Sequence, residues 1–259
     1  MQDDRPLIAL VTGASRGIGG GIATQLAARG IRVAVHYHRN DGAARAILQG
    51  LSGCGHEVFG GDLADAAATE NLFRRVADTL GPVDILINNA GVFFDHPPLR
   101  TDYEHWQAAW RTTLDTNLIG PANLSLLAVQ AMAARQPRGH FGRGRIVNVS
   151  SRGAFRGEPE GPAYGASKAG LNAMSQSLAK ALAPSEIYVY SVAPGWVETD
   201  MALGHLNGPQ GGSILDQHPL GRLNRIDEVA AAVVYCALDA PPAMTGGIID
   251  VNGASYLRS

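Results

Sequence analysis

The chain has 259 residues, 46% hydrophobic and 17% charged, ordinary globular usage that excludes a disordered or collagen-like chain and provides for a sizeable core. Lys and Arg number 21 against 23 Asp and Glu, a net charge of −2, which excludes bulk attraction to nucleic acid or an anionic membrane. Cys54 and Cys236 are the only cysteines, and the eight histidines show no H-E-x-x-H spacing, so neither a disulfide framework nor a structural metal is expected. The opening MQDDRPLIALVTG lacks a signal-peptide pattern, and the apolar stretch at 229–238 is too short to span a membrane. These features predict a cytoplasmic protein.

In chain order, short β-branched or apolar runs at 7–11, 31–35, 83–87, 145–149, 187–193 and 247–251 predict strands, with a further strand ahead of Gly61. Ala-rich segments with helical spacing fall between them at 18–29, 66–80, 118–135, 166–182 and 227–238. Strands apolar enough to be covered on both faces, alternating with helices, predict a doubly wound α/β architecture: a parallel sheet of about seven strands with helices on both sides. No repeat or long linker divides the chain, and the Gly/Pro/Arg-rich stretch at 136–144 reads as a loop. One Rossmann-type domain over 1–259 follows.

The first strand runs into Thr12-Gly13-Ala14-Ser15-Arg16-Gly17-Ile18-Gly19, after which helical spacing begins. Glycines at 13, 17 and 19 allow a tight turn and a pyrophosphate close to the N–H groups of a helix start. Glycines also make plain turns, so the pattern gains weight from its place after the first strand. An acid about 20 residues past the glycines would bind a ribose 2′-hydroxyl. Between Arg5 and Asn40 there is no Asp or Glu, whereas Arg16 lies in the turn and His36, Tyr37, His38 and Arg39 follow the second strand. That suits a 2′-phosphate held by Arg16 and Arg39, and predicts NADP(H) over NAD(H).

The octet TGASRGIG resembles the short-chain dehydrogenase/reductase superfamily, and the resemblance extends over nearly the whole chain. Asn88-Asn89-Ala90-Gly91 is similar to the superfamily's NNAG element, which implies that Asn89, Ala90 and Gly91 pack against the cofactor. Asp62, followed by Leu63, matches the acid that hydrogen-bonds adenine; its plainer role is a cap for the next helix. Asn117, Ser151, Tyr164 and Lys168 match the superfamily's tetrad, with thirteen positions from Ser151 to Tyr164 and four from Tyr164 to Lys168. Ser150 is a substitute for Ser151. Pro194-Gly195-Trp196-Val197-Glu198-Thr199 matches the element that closes the nicotinamide pocket, with Pro194, Gly195, Val197 and Thr199 at the cofactor. The segment at about 200–224, with Leu203, Leu206, Ile214 and Leu215, reads as a substrate lid. Gly221-Arg222, Glu228-Val229-Ala230, Thr245-Gly246-Gly247 and Val251-Asn252-Gly253 match as well.

The resemblance implies carbonyl reduction with Tyr164 as general acid. A free phenol near pKa 10 is a poor partner at neutral pH. Lys168, one turn away, is expected to lower the Tyr164 pKa and to bind the nicotinamide ribose. Ser151 would donate to the substrate oxygen, and Asn117 would anchor a water in a proton relay. TGASRGIG, LAARG, PGWVETDM and HPLGR bring the chain nearest to the 3-oxoacyl-acyl-carrier-protein reductases of fatty acid biosynthesis. Arg135, Arg138, His140, Arg143 and Arg145 would then form a basic patch at the active-site mouth for an acidic carrier. The second docking position, at 182–186, has no basic residue. Reduction of a sugar, steroid, polyketide or small ketone stays open, as does a non-catalytic NADP-sensing regulator, which the intact tetrad argues against. A homotetramer or dimer is implied, built on the helices that carry Asn117 and Tyr164.

Overall fold

The computed structural model describes residues 5–199, 202 and 211–258. Seven strands are present: β1 (Ile8–Val11), β2 (Arg32–Tyr37), β3 (Glu57–Gly60), β4 (Ile85–Asn88), β5 (Gly144–Val149), β6 (Ile187–Pro194) and β7 (Ile248–Val251). They form one parallel sheet in the order β3-β2-β1-β4-β5-β6-β7. Side chains divide by the period of two. Ala9 and Val11 of β1 and Ile85 and Ile87 of β4 enter one apolar cluster, whereas Leu10 and Leu86 enter another. Because both faces are covered, all four residues of β1 and of β4 are buried.

The first cluster is closed by α1 (Gly17–Ala28) and α9 (Ile226–Val234), through Ile22, Leu26, Val229 and Val233. The second is closed by α3 (Ala66–Leu80), α5 (Gly120–Ala133) and α7 (Pro162–Leu182), through Leu72, Val76, Leu124, Met132 and Ala179. The remaining helices are α2 (Asp41–Gly50), α4 (Tyr103–Leu114), α6 (Gly153–Arg156) and α8 (Gly211–Asp216). The doubly wound parallel sheet, single-domain and helix-covered, is the predicted one. β1 pairs with β2 on one side and β4 on the other, so the chain reverses its winding there. The loops leaving β1 and β4 diverge and open a crevice at their carboxyl ends.

Several local expectations change. The helix expected at 118–135 is α5, which a π-turn at Asp115–Ile119 joins to a further helix, α4. Asn40 caps α2 by accepting from Ala43 N at 2.9 Å, and Asp65, not Asp62, caps α3 by accepting from Ala68 N at 3.0 Å. Asp62 accepts from Ala64 N at 3.0 Å.

The basic patch expected at the active-site mouth lies at the opposite end of the sheet. Arg145 begins β5 and is fully buried; its guanidinium donates to the carbonyls of Cys236 and His140 at 3.0 Å and lies over the rings of Phe141, Tyr188 and Tyr190. Arg135 is paired with Asp84, immediately ahead of β4, and Asp84 also takes a two-pronged bond from Arg5 at 2.7 and 2.8 Å. Arg143 donates to Arg135 O. These cations hold the amino-terminal rim together and are not a docking face beside the crevice.

Candidate active site

The turn between β1 and α1 is built by exclusion of side chains. Gly13 has φ +63°, and a Cβ there would lie 2.9 Å from Ala90 Cα. A Cβ on Gly19 would meet Gly13 O at 2.3 Å and Asn89 Nδ2 at 2.5 Å. The turn is bound to the loop after β4: Thr12 Oγ1 accepts from Asn89 N at 2.9 Å and Ala90 N at 3.0 Å, and Asn89 Nδ2 donates to Thr12 O at 2.8 Å. Thus Asn89 and Ala90 position the turn as well as bordering the crevice. Arg16 occupies the N-cap of α1 in extended conformation, and among the described residues no side chain caps the helix. The N–H groups of Gly17 and Ile18 begin the helix beside the crevice, where an anion would be favoured. Ser15 lies in the same turn, while the side chain of Ile18 reaches the first apolar cluster.

His36 is not part of a phosphate site after the second strand. It lies inside β2, is 1% exposed, and bridges three segments: Gly13 N donates to its Nδ1 at 3.1 Å, and its Nε2 is 3.1 Å from Gly61 O. The first bond makes Nδ1 an acceptor, so Nε2 carries the proton and donates to Gly61 O. Burial holds the ring neutral, its pKa pushed down to about 4. Tyr37, also within β2, lies against Gly60, where a Cβ would sit 2.9 Å from the phenol ring. His38 and Arg39 are exposed beyond the strand end, and His38 Nε2 is 3.5 Å from Asp62 Oδ2. Leu63 turns into the second apolar cluster. The close-packed glycines at the start of α1 suit the approach of a dinucleotide's pyrophosphate.

At the end of β5, Ser150 and Ser151 point differently. Ser150 is buried against α7, with its hydroxyl 3.5 Å from Lys168 O, whereas Ser151 is part-exposed and its Oγ accepts from Gly153 N at 3.0 Å. Tyr164 stands in the first turn of α7 with the Phe93 ring edge-on, centroids 5.2 Å apart. Burial pushes its pKa up to about 12, opposed by the Ser151 hydroxyl at the phenol and reinforced by Glu158. The net shift in the chain alone is therefore upward, opposite to the lowering expected from the sequence. The ammonium sits 5.8 Å from the phenol ring centroid and donates to Val149 O at 2.8 Å, and its own pKa falls to about 8 on burial.

Asn117 lies at the centre of the π-turn. It is fully buried; Oδ1 accepts from Val92 N at 2.8 Å, while Nδ2 donates to Val92 O at 2.9 Å and Ser167 Oγ at 3.2 Å. Single π-turns re-aim one residue within a helix, and this one ties Asn117 to the loop after β4. A Cβ on Gly91 would lie 3.4 Å from Asn117 Oδ1 and 3.5 Å from Lys168 Nζ. Gly91, Asn117 and Lys168 therefore meet at one place. His96, which the sequence gave no reason to single out, fixes the start of α7: its Nε2 accepts from Ala163 N at 3.1 Å and its Nδ1 donates to Phe94 O at 2.8 Å.

Across the crevice, Arg152 N donates to Pro194 O at 2.9 Å and Gly195 N to Val251 O at 3.0 Å. Val197 bridges to Asn224, and the methyl of Thr199 is 3.3 Å from the place a Cβ on Gly17 would take. Thr199 thus faces the glycine turn. Of the expected lid, residues 200, 201 and 203–210, including Leu203 and Leu206, lie outside the described residues. Ile214 packs with Ala202, Leu223 and Trp196, and Leu215 is exposed. Among the described residues there is no cluster of three His, Cys, Asp or Glu suited to a metal, and no helix long and apolar enough to cross a membrane.

A glycine turn at the switch point of a doubly wound sheet, facing a Ser–Tyr–Lys cluster, defines an α/β oxidoreductase. The family described as enoyl-(acyl carrier protein) reductase matches residues 13–254. The chain is 38% identical over 250 residues to the 3-oxoacyl-[acyl-carrier-protein] reductase FabG of Escherichia coli (strain K12), covering 96% of this chain and 97% of that protein. It is 35% identical over 251 residues to the FabG of Staphylococcus aureus (strain Mu50), covering 96% and 98%. The chain belongs to the short-chain dehydrogenase/reductase family.

Proposed function

We propose that the chain is an NADPH-dependent reductase of 3-oxoacyl thioesters, with Asn117, Ser151, Tyr164 and Lys168 as its reaction centre. The observation that carries this reading is the meeting of Gly91, Asn117 and the buried Lys168 beside the Ser151–Tyr164 pair. The names of the relatives supply the substrate class, and a carrier-bound thioester is included in it. The turn Gly13–Gly19 would hold the cofactor's pyrophosphate, Arg16 and Arg39 its 2′-phosphate, Asp62 and Leu63 its adenine, and Asn89-Ala90-Gly91 with Pro194, Gly195, Val197 and Thr199 its nicotinamide end.

When bound, the dihydronicotinamide supplies the hydride taken up by the carbonyl carbon. Tyr164, neutral at pH 7, holds the proton that the carbonyl oxygen receives. Ser151 donates a hydrogen bond to the same oxygen as negative charge grows there. Lys168 is mostly protonated at pH 7, so its ammonium offsets the phenolate left behind. Asn117 holds the polar path behind Lys168 through which a proton returns. The exposed Tyr103, Ile119 and Leu126 on α4, the π-turn and α5 support assembly of copies through this face.

The test is NADPH and NADH oxidation, side by side, with acetoacetyl-CoA and with Tyr164→Phe as the blank. NADPH-dependent turnover that disappears in the variant supports the reading. Tight NADPH binding with no turnover of any ketone would instead favour a nucleotide-sensing protein. The position of Arg135, Arg143 and Arg145 at the far rim favours one further reading, reduction of a small ketone or thioester without carrier docking; equal rates on CoA and carrier-protein thioesters would support it.

A further inference from the structure

Arg152 follows Ser151 directly and is 3% exposed. A buried guanidinium is costly unless its donors meet acceptors, and most favourable when one is anionic. Its side-chain partner is neutral: Nη2 donates to Gln217 Oε1 at 3.0 Å, while Nη1 is buried with no acceptor among the described residues. Arg156 donates from Nη1 to the same Gln217 Oε1 at 2.8 Å. Two guanidiniums thus converge on one amide oxygen. Glu158 approaches Arg156, at 3.6 Å from its Nε, and no ion pair reaches Arg152 among the described residues. Burial, then the charge of Arg156, pulls the Arg152 pKa down to about 10, against the opposing charge of Glu158. Beside Gln217, His218 is also 3% exposed; its Nδ1 bonds Ile214 O at 2.8 Å and its Nε2 is buried with no partner among the described residues.

The location gives this cluster a use. Arg152 is held through its backbone to Pro194 O, between the proposed catalytic serine and the pocket-closing turn. Gln217 follows α8, in the segment that returns across the crevice to Asn224. A primary amide has the planar shape of a carboxylate without its charge, so Gln217 fills the geometry and leaves the charge unanswered.

We infer that Arg152 and Arg156 form a subsite for a carboxylate carried by the substrate, which takes the place of Gln217 Oε1 when the substrate enters. The inference rests on the proposed carbonyl reduction at Ser151 and Tyr164 and narrows its substrate to oxo compounds bearing a second, acidic end.

The experiment compares 3-oxoadipyl-CoA with 3-oxohexanoyl-CoA, equal in chain length but ending in a carboxylate or a methyl group. Wild-type kcat/KM is expected to favour the acidic thioester by about 30-fold or more, the scale of a buried charge pair. Arg152→Met should collapse that ratio toward one. Gln217→Glu, which installs an internal carboxylate at nearly constant shape, should do the same by competition and serves if Arg152→Met fails to fold. Calorimetry with adipate, which cannot be reduced, reads the subsite apart from turnover: binding by wild type that is lost in Gln217→Glu is expected. A wild-type ratio near one overturns the inference while leaving carbonyl reduction intact. Adipate binding without turnover of either thioester overturns the reduction reading and keeps the anion subsite. Inorganic phosphate binding in preference to adipate overturns the carboxylate assignment.

Discussion

At the amino-terminal rim of the sheet, Arg145 is completely buried, yet its guanidinium donates to carbonyls and lies over three aromatic rings. At the carboxyl-terminal rim, Arg152 is buried almost as deeply, yet shares one neutral oxygen with Arg156 and leaves Nη1 without an acceptor among the described residues. The amino acid and the depth are similar; the satisfaction differs. A charge whose donors are matched within the chain is structural, because nothing remains for a ligand to supply. A charge held in place but incompletely matched has capacity for another molecule. The start of α1 and the buried Lys168 lie on the same rim.

The contrast is broken or sharpened by substitution at each rim. The largest effect is expected at Tyr164: Tyr164→Phe should lower kcat by about 10²–10⁴-fold while leaving NADPH binding and the unfolding midpoint nearly unchanged, as general-acid loss does. Steady-state rates with fluorescence titration of NADPH check this. Asp84→Ala should do the reverse. It strips Arg5 and Arg135 of their shared carboxylate and should cost about 3 kcal/mol of stability in urea unfolding, the lower end for breaking a buried pair. Turnover per folded molecule should hold. Loss of turnover without loss of stability would erase the distinction between the rims.

What could be read in advance follows from how local each signal is. TGASRGIG and the thirteen- and four-residue spacings of Ser151, Tyr164 and Lys168 lie within single strand–turn–helix units, so they were visible. Asn117 is visible as a residue but not as the centre of a π-turn, because one added residue at 115–119 leaves the helical spacing of the segment that follows intact. His36 was read as a loop base; its role needs β2, the glycine turn and Gly61 together, a meeting of three segments. The basic run at 135–145 was misplaced, although strand polarity carried the answer. Residues that begin β5 lie at the amino-terminal rim, away from strand ends that open the crevice. Arg152 carries no signal of its own, because nothing in sequence distinguishes a buried guanidinium from a solvated one.

His36 gives the next effect in size. With its pKa at about 4 in the folded chain against 6.5 in the unfolded chain, the unfolded state binds more protons between those values. Its contribution is therefore fully present above pH 6.5 and is lost as pH falls toward 4, by about 3 kcal/mol at pH 4. Urea midpoints from pH 7 to 4 should fall more steeply for wild type than for His36→Gln, which does not titrate. NADPH affinity of the folded chain should weaken only as pH falls to about 4 and below, where the ring takes a second proton and no longer accepts from Gly13 N.

The smallest effect belongs to Arg39, which completes the series of arginines. It is exposed at the end of β2, so an ion pair made there stays in water and is screened by salt. Arg39→Ala should raise the KM for NADPH only about fivefold, near 1 kcal/mol, and leave the KM for NADH where it is. The wild-type preference for NADPH should shrink as salt rises from low to physiological strength, whereas any preference for an acidic substrate set by buried Arg152 should change less. If Arg39→Ala shifts both coenzymes equally, the residue acts on the turn or the adenine and not on a 2′-phosphate, and Arg16 is left as the cation that discriminates.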